Sequence, residues 1–250
     1  MRLGERGFAL LPVLWAVALL GLIAGAVATA LRAESGIARA QRLAAEGRAI
    51  ADAAIHLAIA QLLAADATQR PRLDGTPDVI VFDGQAVLLR VQDEAGKVDV
   101  NMATPEVLRR YFAVTLEDAS LADAVLARRW PAPGARRFLS VGELALLPGV
   151  TPALLARLAP GLTVHAQQPG PDPATAVPAA LLALPGMTAA EVERVQALRL
   201  APEGGPLREV PGMAVELRAE LERGGLRVRR RAVVRLVADP ARPVWVYAWE

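Results

Sequence analysis

Gly7–Leu31 reads GFALLPVLWAVALLGLIAGAVATAL, with no charged residue between Arg6 and Arg32. As a helix, about 25 residues rising 1.5 Å each span about 37 Å, enough for a ~30 Å hydrocarbon core. A secretory signal has a shorter apolar region, ~7–15 residues, followed by a small-residue cleavage site. This run is longer, and it does not end in a turn. It continues as RAESGIARAQRLAAEGRAIADAAIHLAIAQLLAAD without a proline. There Leu43, Gly47, Ile50, Ala54 and Leu57 recur at steps of four and three, a helical stripe. The pattern predicts one helix from near Phe8 to about Ala65, apolar all round in its first half and one-sided in its second.

Charge sets the expected orientation. Arg2, Arg6 and the initial amine crowd seven residues against Glu5, whereas beyond the run Arg32, Arg39, Arg42 and Arg48 are diluted by Glu34 and Glu46. The denser positive end is expected on the cytoplasmic side, with everything after Leu31 outside.

The rest of the chain is long enough for one large domain or two small ones. With no cysteine, disulfides, thiol nucleophiles and thiolate metal sites are excluded. Formal net charge is only +2, and Lys97 is the single lysine among 28 basic residues. A surface built for nucleic acid does not follow from that balance. No HExxH, Walker loop, GxGxxG or Gly-x-Ser-x-Gly occurs. His56 lies on the predicted helix and His165 follows the strand-like LTVH, both read as ordinary partly buried or surface imidazoles. The expectation is a protein that is not an enzyme and requires no cofactor.

Beyond the helix, TQRPRLDGTP (Thr68–Pro77) breaks the chain with two prolines and a glycine. VIVFDGQAVLLRVQ then predicts a β-hairpin, Val79–Phe82 and Ala86–Gln92 around an Asp-Gly turn. GLRVRRRAVVRLVADPARPVWVYAWE predicts a closing hairpin, about Leu226–Val237 and Val244–Trp249. Between them the text is Leu/Ala-rich and helical, with an internal repeat. DVNMATPEVL (Asp99–Leu108) aligns with DPATAVPAAL (Asp172–Leu181), matching Asp, Ala, Pro and Leu at one constant offset. Pro-Gly hairpins follow at Leu146–Leu158, Ala183–Val195 and Glu209–Leu221. Thr151 and Thr188 suit helix N-caps, and Pro152 suits the first helical position. The third copy has Ala214 there, a weaker start. The expected segments are a leader at 1–7, a membrane and stalk helix at 8–65, a first β part at 66–92, an α-helical insertion at 93–225 and a closing hairpin at 226–250. Strands on both sides of a helical insertion most simply join one antiparallel sheet packed on the long helix, an α+β fold.

Two resemblances sharpen this reading. Arg6-Gly7-Phe8 at the head of the apolar run resembles the leader of type IV pilins and pseudopilins. The resemblance implies that prepilin peptidase cuts between Gly7 and Phe8 and methylates the new amine, leaving the anchor in place. Over nearly the whole chain, RGFALLPVLWAVALL, VQDEAGKVDVNMATPEVL, FLSVGELALLPGVTPALLARLAPGLTVH and VWVYAWE together resemble the K subunit of the type II secretion system, its large minor pseudopilin. That resemblance implies a pilin-like periplasmic domain with a large α-helical insertion. It implies an inner-membrane anchor with a cytoplasmic N-terminus, lipid contact through residues 8–31, and an inner-membrane assembly platform. It also implies placement at the pseudopilus tip with the minor pseudopilins I and J, H being a further candidate. At the fifth position after the cut, where pilins carry a Glu that neutralises a neighbour's amine, this chain has Pro12. A subunit with none stacked above it can lack that acid, which is costly to bury unpaired. Pro12 also fits near a helix start, where backbone N–H groups lack intrahelical partners.

The competing reading is a membrane-tethered DNA-binding protein of the competence type. VNMATPEVL and LLPGVTPALLARL resemble its helix-hairpin-helix modules, whose Gly-x-Gly turns present N–H groups to phosphate. Here the second glycine is replaced by Thr151, Thr188 or Ala214, so the permissive residue at the phosphate approach is missing. No nucleic-acid partner is therefore expected. Members of the K family hold calcium in this domain. The matching candidates are Asp93, Glu94 and Asp99, hard oxygen donors around Gly96, without EF-hand spacing; calcium is thus an optional ligand.

The processing reading has a direct check. Mass spectrometry of the membrane-extracted protein from cells carrying the peptidase should find a methylated Phe8 terminus, and Gly7→Val should block cutting. An intact Met1 terminus would contradict it.

Overall fold

The computed structural model describes residues 10–64, 66–129, 134, 136–200 and 212–250. Gly7 and Phe8 lie outside the described residues. In chain order the elements are helix α1 (Leu10–Leu63), strands β1 (Asp78–Phe82), β2 (Gln85–Asp93) and β3 (Val98–Asp99), helices α2 (Pro105–Leu116), α3 (Ser120–Arg128) and α4 (Pro152–Leu158), strand β4 (Leu162–Thr163), helices α5 (Pro178–Leu182) and α6 (Ala189–Leu200), and strands β5 (Ala214–Arg223), β6 (Leu226–Leu236) and β7 (Val244–Trp249). The chain divides into two compact units, 1–49 with 222–228, and 50–221 with 229–250.

In the first unit α1 carries the apolar run. Every side chain from Pro12 to Arg32 is exposed except the half-buried Ala28. Closer to residue 49, Glu46 bonds both Arg42 and Arg223 at 2.8 and 2.9 Å. Gly224 and Gly225 both take positive φ, +57° and +78°, as a tight hairpin turn requires. A side chain at Gly224 would also meet Leu43 at 2.9 Å.

In the second unit the rest of α1 buries Ile50, Ala51, Ala54, Ile55, Ala58, Ile59 and Leu62. The expected stripe needs one correction: Leu57 is exposed. Steps of four from Ile50 and Ala51 carry the buried face through 54/55 and 58/59, which leaves Leu57 on the outer side. Asp52 holds the sheet side of this helix, accepting from Arg230 Nε at 2.8 Å and Trp249 Nε1 at 2.9 Å. Nδ1 of the exposed His56 donates to the Asp52 carbonyl, and its ring lies 4.8 Å from that of Trp249.

The sheet runs β1-β2-β5-β6-β7. Its antiparallel registers include Ile80↔Val87, Val91↔Leu217 and Leu236↔Val244, with a β-bulge at Val233/Val234. The expected α+β arrangement of long helix, antiparallel sheet and helical insertion is thus what the chain adopts. The end of the insertion is a second correction. Residues 214–223, expected to continue the third Pro-Gly helical hairpin inside an insertion reaching 225, form β5, the central strand. The reason is visible in the period. Val215, Leu217, Ala219 and Leu221 alternate with Glu216, Arg218, Glu220 and Glu222, a strand pattern that outweighs the Pro-Gly likeness.

The helical block between β2 and β5 has its own core, including Val100, Leu108, Tyr111, Phe112, Leu144, Leu158 and Leu181. Its N-caps follow the sequence. Thr104 and Thr151 accept from Val107 N and Leu154 N, each before a first-turn proline. Thr188 and Glu191 form a reciprocal capping box. The internal repeat is a structural one. Thr104 N donates to Pro169 O, and its repeat counterpart Val177 N donates to Gly96 O, the counterpart of Pro169. Arg129 spans the carbonyls of Val100 and Ala103, and Arg199 spans those of Pro173 and Ala176, the same two positions of the second copy. Each copy therefore folds its loop around an Asp turn and closes it with an arginine at the end of a later helix, Arg129 just past α3 and Arg199 in the last turn of α6.

Gly96 sits where the copies cross. A Cβ there would run into the Thr175 carbonyl and meet Gln92 Nε2 at 2.7 Å. Gly96→Ala should therefore cost about 1–3 kcal/mol of stability, the usual scale of overpacking. Gly142→Ala, whose nearest neighbour would be Ser140 Oγ at 3.5 Å, should cost far less. Thermal denaturation of the two detergent-solubilised variants checks this; equal melting temperatures would contradict it.

Candidate functional site

Among the expected site residues, Pro12 is within the described part of α1 and is exposed. The helix from Pro12 onward is long and apolar enough to cross a membrane, and its most apolar stretch is uncovered. Leaving so many large apolar side chains in water forfeits about 1.5–3 kcal/mol each relative to burial. That face fits lipid or apolar neighbours.

The expected calcium ligands are near one another in sequence but engaged separately. Asp93 Oδ1 accepts from Ala95 N at 2.9 Å and caps the short 3-10 turn Glu94–Gly96. Asp99 Oδ1 accepts from Asn101 N and Met102 N, while its Oδ2 accepts from Gln167 N at 2.8 Å. Burial pushes the Asp99 carboxyl above its ordinary range despite those three donors. Glu94 is an ion-pair partner. Among the described residues no three His, Cys, Asp or Glu side chains form a group that could hold a metal ion.

Glu94 is part of an ionic clamp. Lys97, only 3% exposed, places Nζ 2.6 Å from Glu94 Oε1 and 3.2 Å from Glu216 Oε2. Glu94 Oε2 also accepts from Thr163 Oγ1, and that hydroxyl accepts from His165 N at 3.0 Å. Glu216 in turn pairs with Arg218 at 2.5 Å and Arg231 at 2.8 Å, and Arg231 reaches Glu250 at 3.5 Å. The clamp thus ties the β2–β3 junction to β4 on the block side and to β5 and β6 on the sheet side. Above it, His165 stacks on Tyr247 with ring centres 4.4 Å apart. Burial lowers the pKa of that imidazole.

Lys97 and Glu216 were not singled out in the sequence. One signal existed: a lone lysine set among Asp93, Glu94 and Asp99 is an unusual use of a residue that arginine replaces everywhere else. Glu216 stands on the charged side of an alternating strand, where nothing local distinguishes it from Glu220 or Glu222.

Comparison with known proteins gives one result of note. No family model matches the chain, and no curated protein matches it. Among solved structures the chain is similar to a chain of the GspK-GspI-GspJ complex from the type 2 secretion system of enterotoxigenic Escherichia coli. The identity is 11%, the TM-score 0.49, and the match covers 88% of this chain and 98% of that one.

The clamp predicts an acid-sensitive fold. Burial alone would raise the Glu216 carboxyl, but Lys97, Arg218 and Arg231 together hold it down at about 2, below its ordinary 4.5. A depressed carboxyl contributes stability that is full above its unfolded value and lost as pH falls towards the folded one. Stability should therefore drop between about pH 4.5 and 2. Glu216→Gln should be less stable at pH 7 and show a shallower loss over that window. Denaturant titrations at pH 7, 4 and 3 check this. A wild-type and variant that lose stability in parallel would contradict it.

Proposed function

We propose that this chain is a minor pseudopilin of the K type, anchored in the inner membrane by residues 8–31, that caps the tip of a type II secretion pseudopilus. In that role it works without catalysis, in the export of folded proteins from the periplasm. The observation that carries the reading is one architecture in one chain. An uncovered apolar helix continues into residues 50–63, which pack on an antiparallel sheet, and a large helical block is inserted between β2 and β5. The apolar helix supplies what a filament subunit offers its neighbours. The block supplies bulk that a regularly packed shaft has no room for. Pro12, in place of the usual acid, suits a subunit with nothing stacked above it.

The remaining parts follow from the same reading. Prepilin peptidase would release residues 1–7, the assembly platform would receive the anchor, and the smaller pseudopilins I and J would complete the tip. The two Pro-Gly turns that lead into α4 and α6 take positive φ at Gly149 and Gly186, and Thr151 and Thr188 are spent as helix caps. That use of the turn residues favours a packing role for the hairpins over phosphate binding.

Deletion of the gene in its own host should leave type II substrates in the periplasm, with recovery on supplying the intact chain. Secretion at the wild-type level in the deletion strain would overturn the proposal.

A further inference from the structure

Most of the outer sheet face is ionically satisfied. Arg218 and Arg231 share Glu216, and Arg229 pairs with Glu220 at 3.3 Å. The β1 side is different. The register sets Val79 opposite Leu88 and Val81 opposite Ala86, on the face away from the buried Val87, Leu89 and Val91. Val79 is 61% exposed and Val81 71%. β1 opens on Asp78 and lies between Pro77 and Asp83, but no charge or proline interrupts its four residues Val79–Phe82, and among the described residues no strand pairs with its outer side. Exposed edges of this kind are normally blunted by charges, prolines or bulges, because their free N–H and C=O groups template pairing with another chain.

Next on the same face, Arg90 stands directly across from Arg218. Like charges in that position repel. Arg218 is compensated by Glu216, whereas among the described residues no carboxylate pairs with the half-buried Arg90. An apolar strip, an open ladder and an uncompensated cation thus adjoin. The opposite edge, β7, is more committed. Tyr247 stacks on His165 and accepts from Arg235, and Trp249 donates to Asp52.

We infer that the β1 edge, with Val79, Val81 and Leu88 beside Arg90, docks an extended strand of a partner protein. That strand carries alternating apolar residues and a carboxylate placed to meet Arg90. Main-chain bonds supply affinity in such strand addition, and the alternating side chains supply selectivity. Resting on the function proposed above, the partner is one of the two smaller pseudopilins.

The test uses the full-length protein in detergent with the purified I- and J-type pseudopilins of the same system. Val81→Arg and Arg90→Glu should each weaken the complex at least tenfold without lowering the melting temperature of the free protein. Val246→Arg on β7 should leave the affinity unchanged. Because the chain has no cysteine, Val81→Cys also allows disulfide mapping against single cysteines in the partner's strands, with cross-links expected at alternate positions. A complex indifferent to Val81→Arg and Arg90→Glu, or lost only with Val246→Arg, would overturn the docking edge and leave the proposed function standing. Failure of the wild-type chain to form any complex would overturn both.

Discussion

Lys97 is a cation almost wholly out of water, held between Glu94 and Glu216. An isolated charge in that position is untenable, and removing one partner of a buried pair typically costs ~3–5 kcal/mol. The clamp therefore works as a constraint more than as a source of stability. Glu94 and Lys97 belong to the turn that starts the helical block, and Glu216 belongs to the central strand of the sheet. Block and sheet cannot separate without stranding charge. The repeat inside the block depends on the same turn, because Gly96 O accepts from Val177 N, and Ala95 O accepts from Asp172 N at 2.7 Å. A short 3-10 turn thus fixes the sheet, the block and the crossing of its two copies together.

The apolar helix answers to a different solvent. Residues 12–31 carry no charged side chain, and the one hydroxyl among them, of Thr29, bonds the Ala26 carbonyl of its own helix, as a helix in hydrocarbon requires. The second unit, by contrast, has a dry core on one side of its sheet and an arginine–glutamate lattice on the other. The proposed tip role joins those two halves.

Much of this was legible in the sequence, for identifiable reasons. The long helix, both outer hairpins and the Thr caps depend on local period and turn chemistry, and those survive in one dimension. The repeat was legible as a spacing, but not the fact that its two copies exchange backbone bonds and are each closed by an arginine. Arg129 and Arg199 act across 23 to 29 residues of chain, a distance at which local pattern is silent. β5 was missed because Val210-Pro211-Gly212-Met213 resembles the two genuine hairpins, and that likeness masked the clean alternation that follows. The acidic turn was read as a candidate calcium site because Asp93, Glu94 and Asp99 are hard donors; their counter-charge, Lys97, was in plain view between them. Glu216 lies more than a hundred residues away, and only the sheet brings it there.

The central claim is that this chain ends a filament and does not populate its shaft. Immunogold labelling of assembled pseudopili, with antibody against the helical block, measures this directly. The account predicts gold confined to filament ends, one cluster to a filament. Regular labelling along the shaft would contradict it.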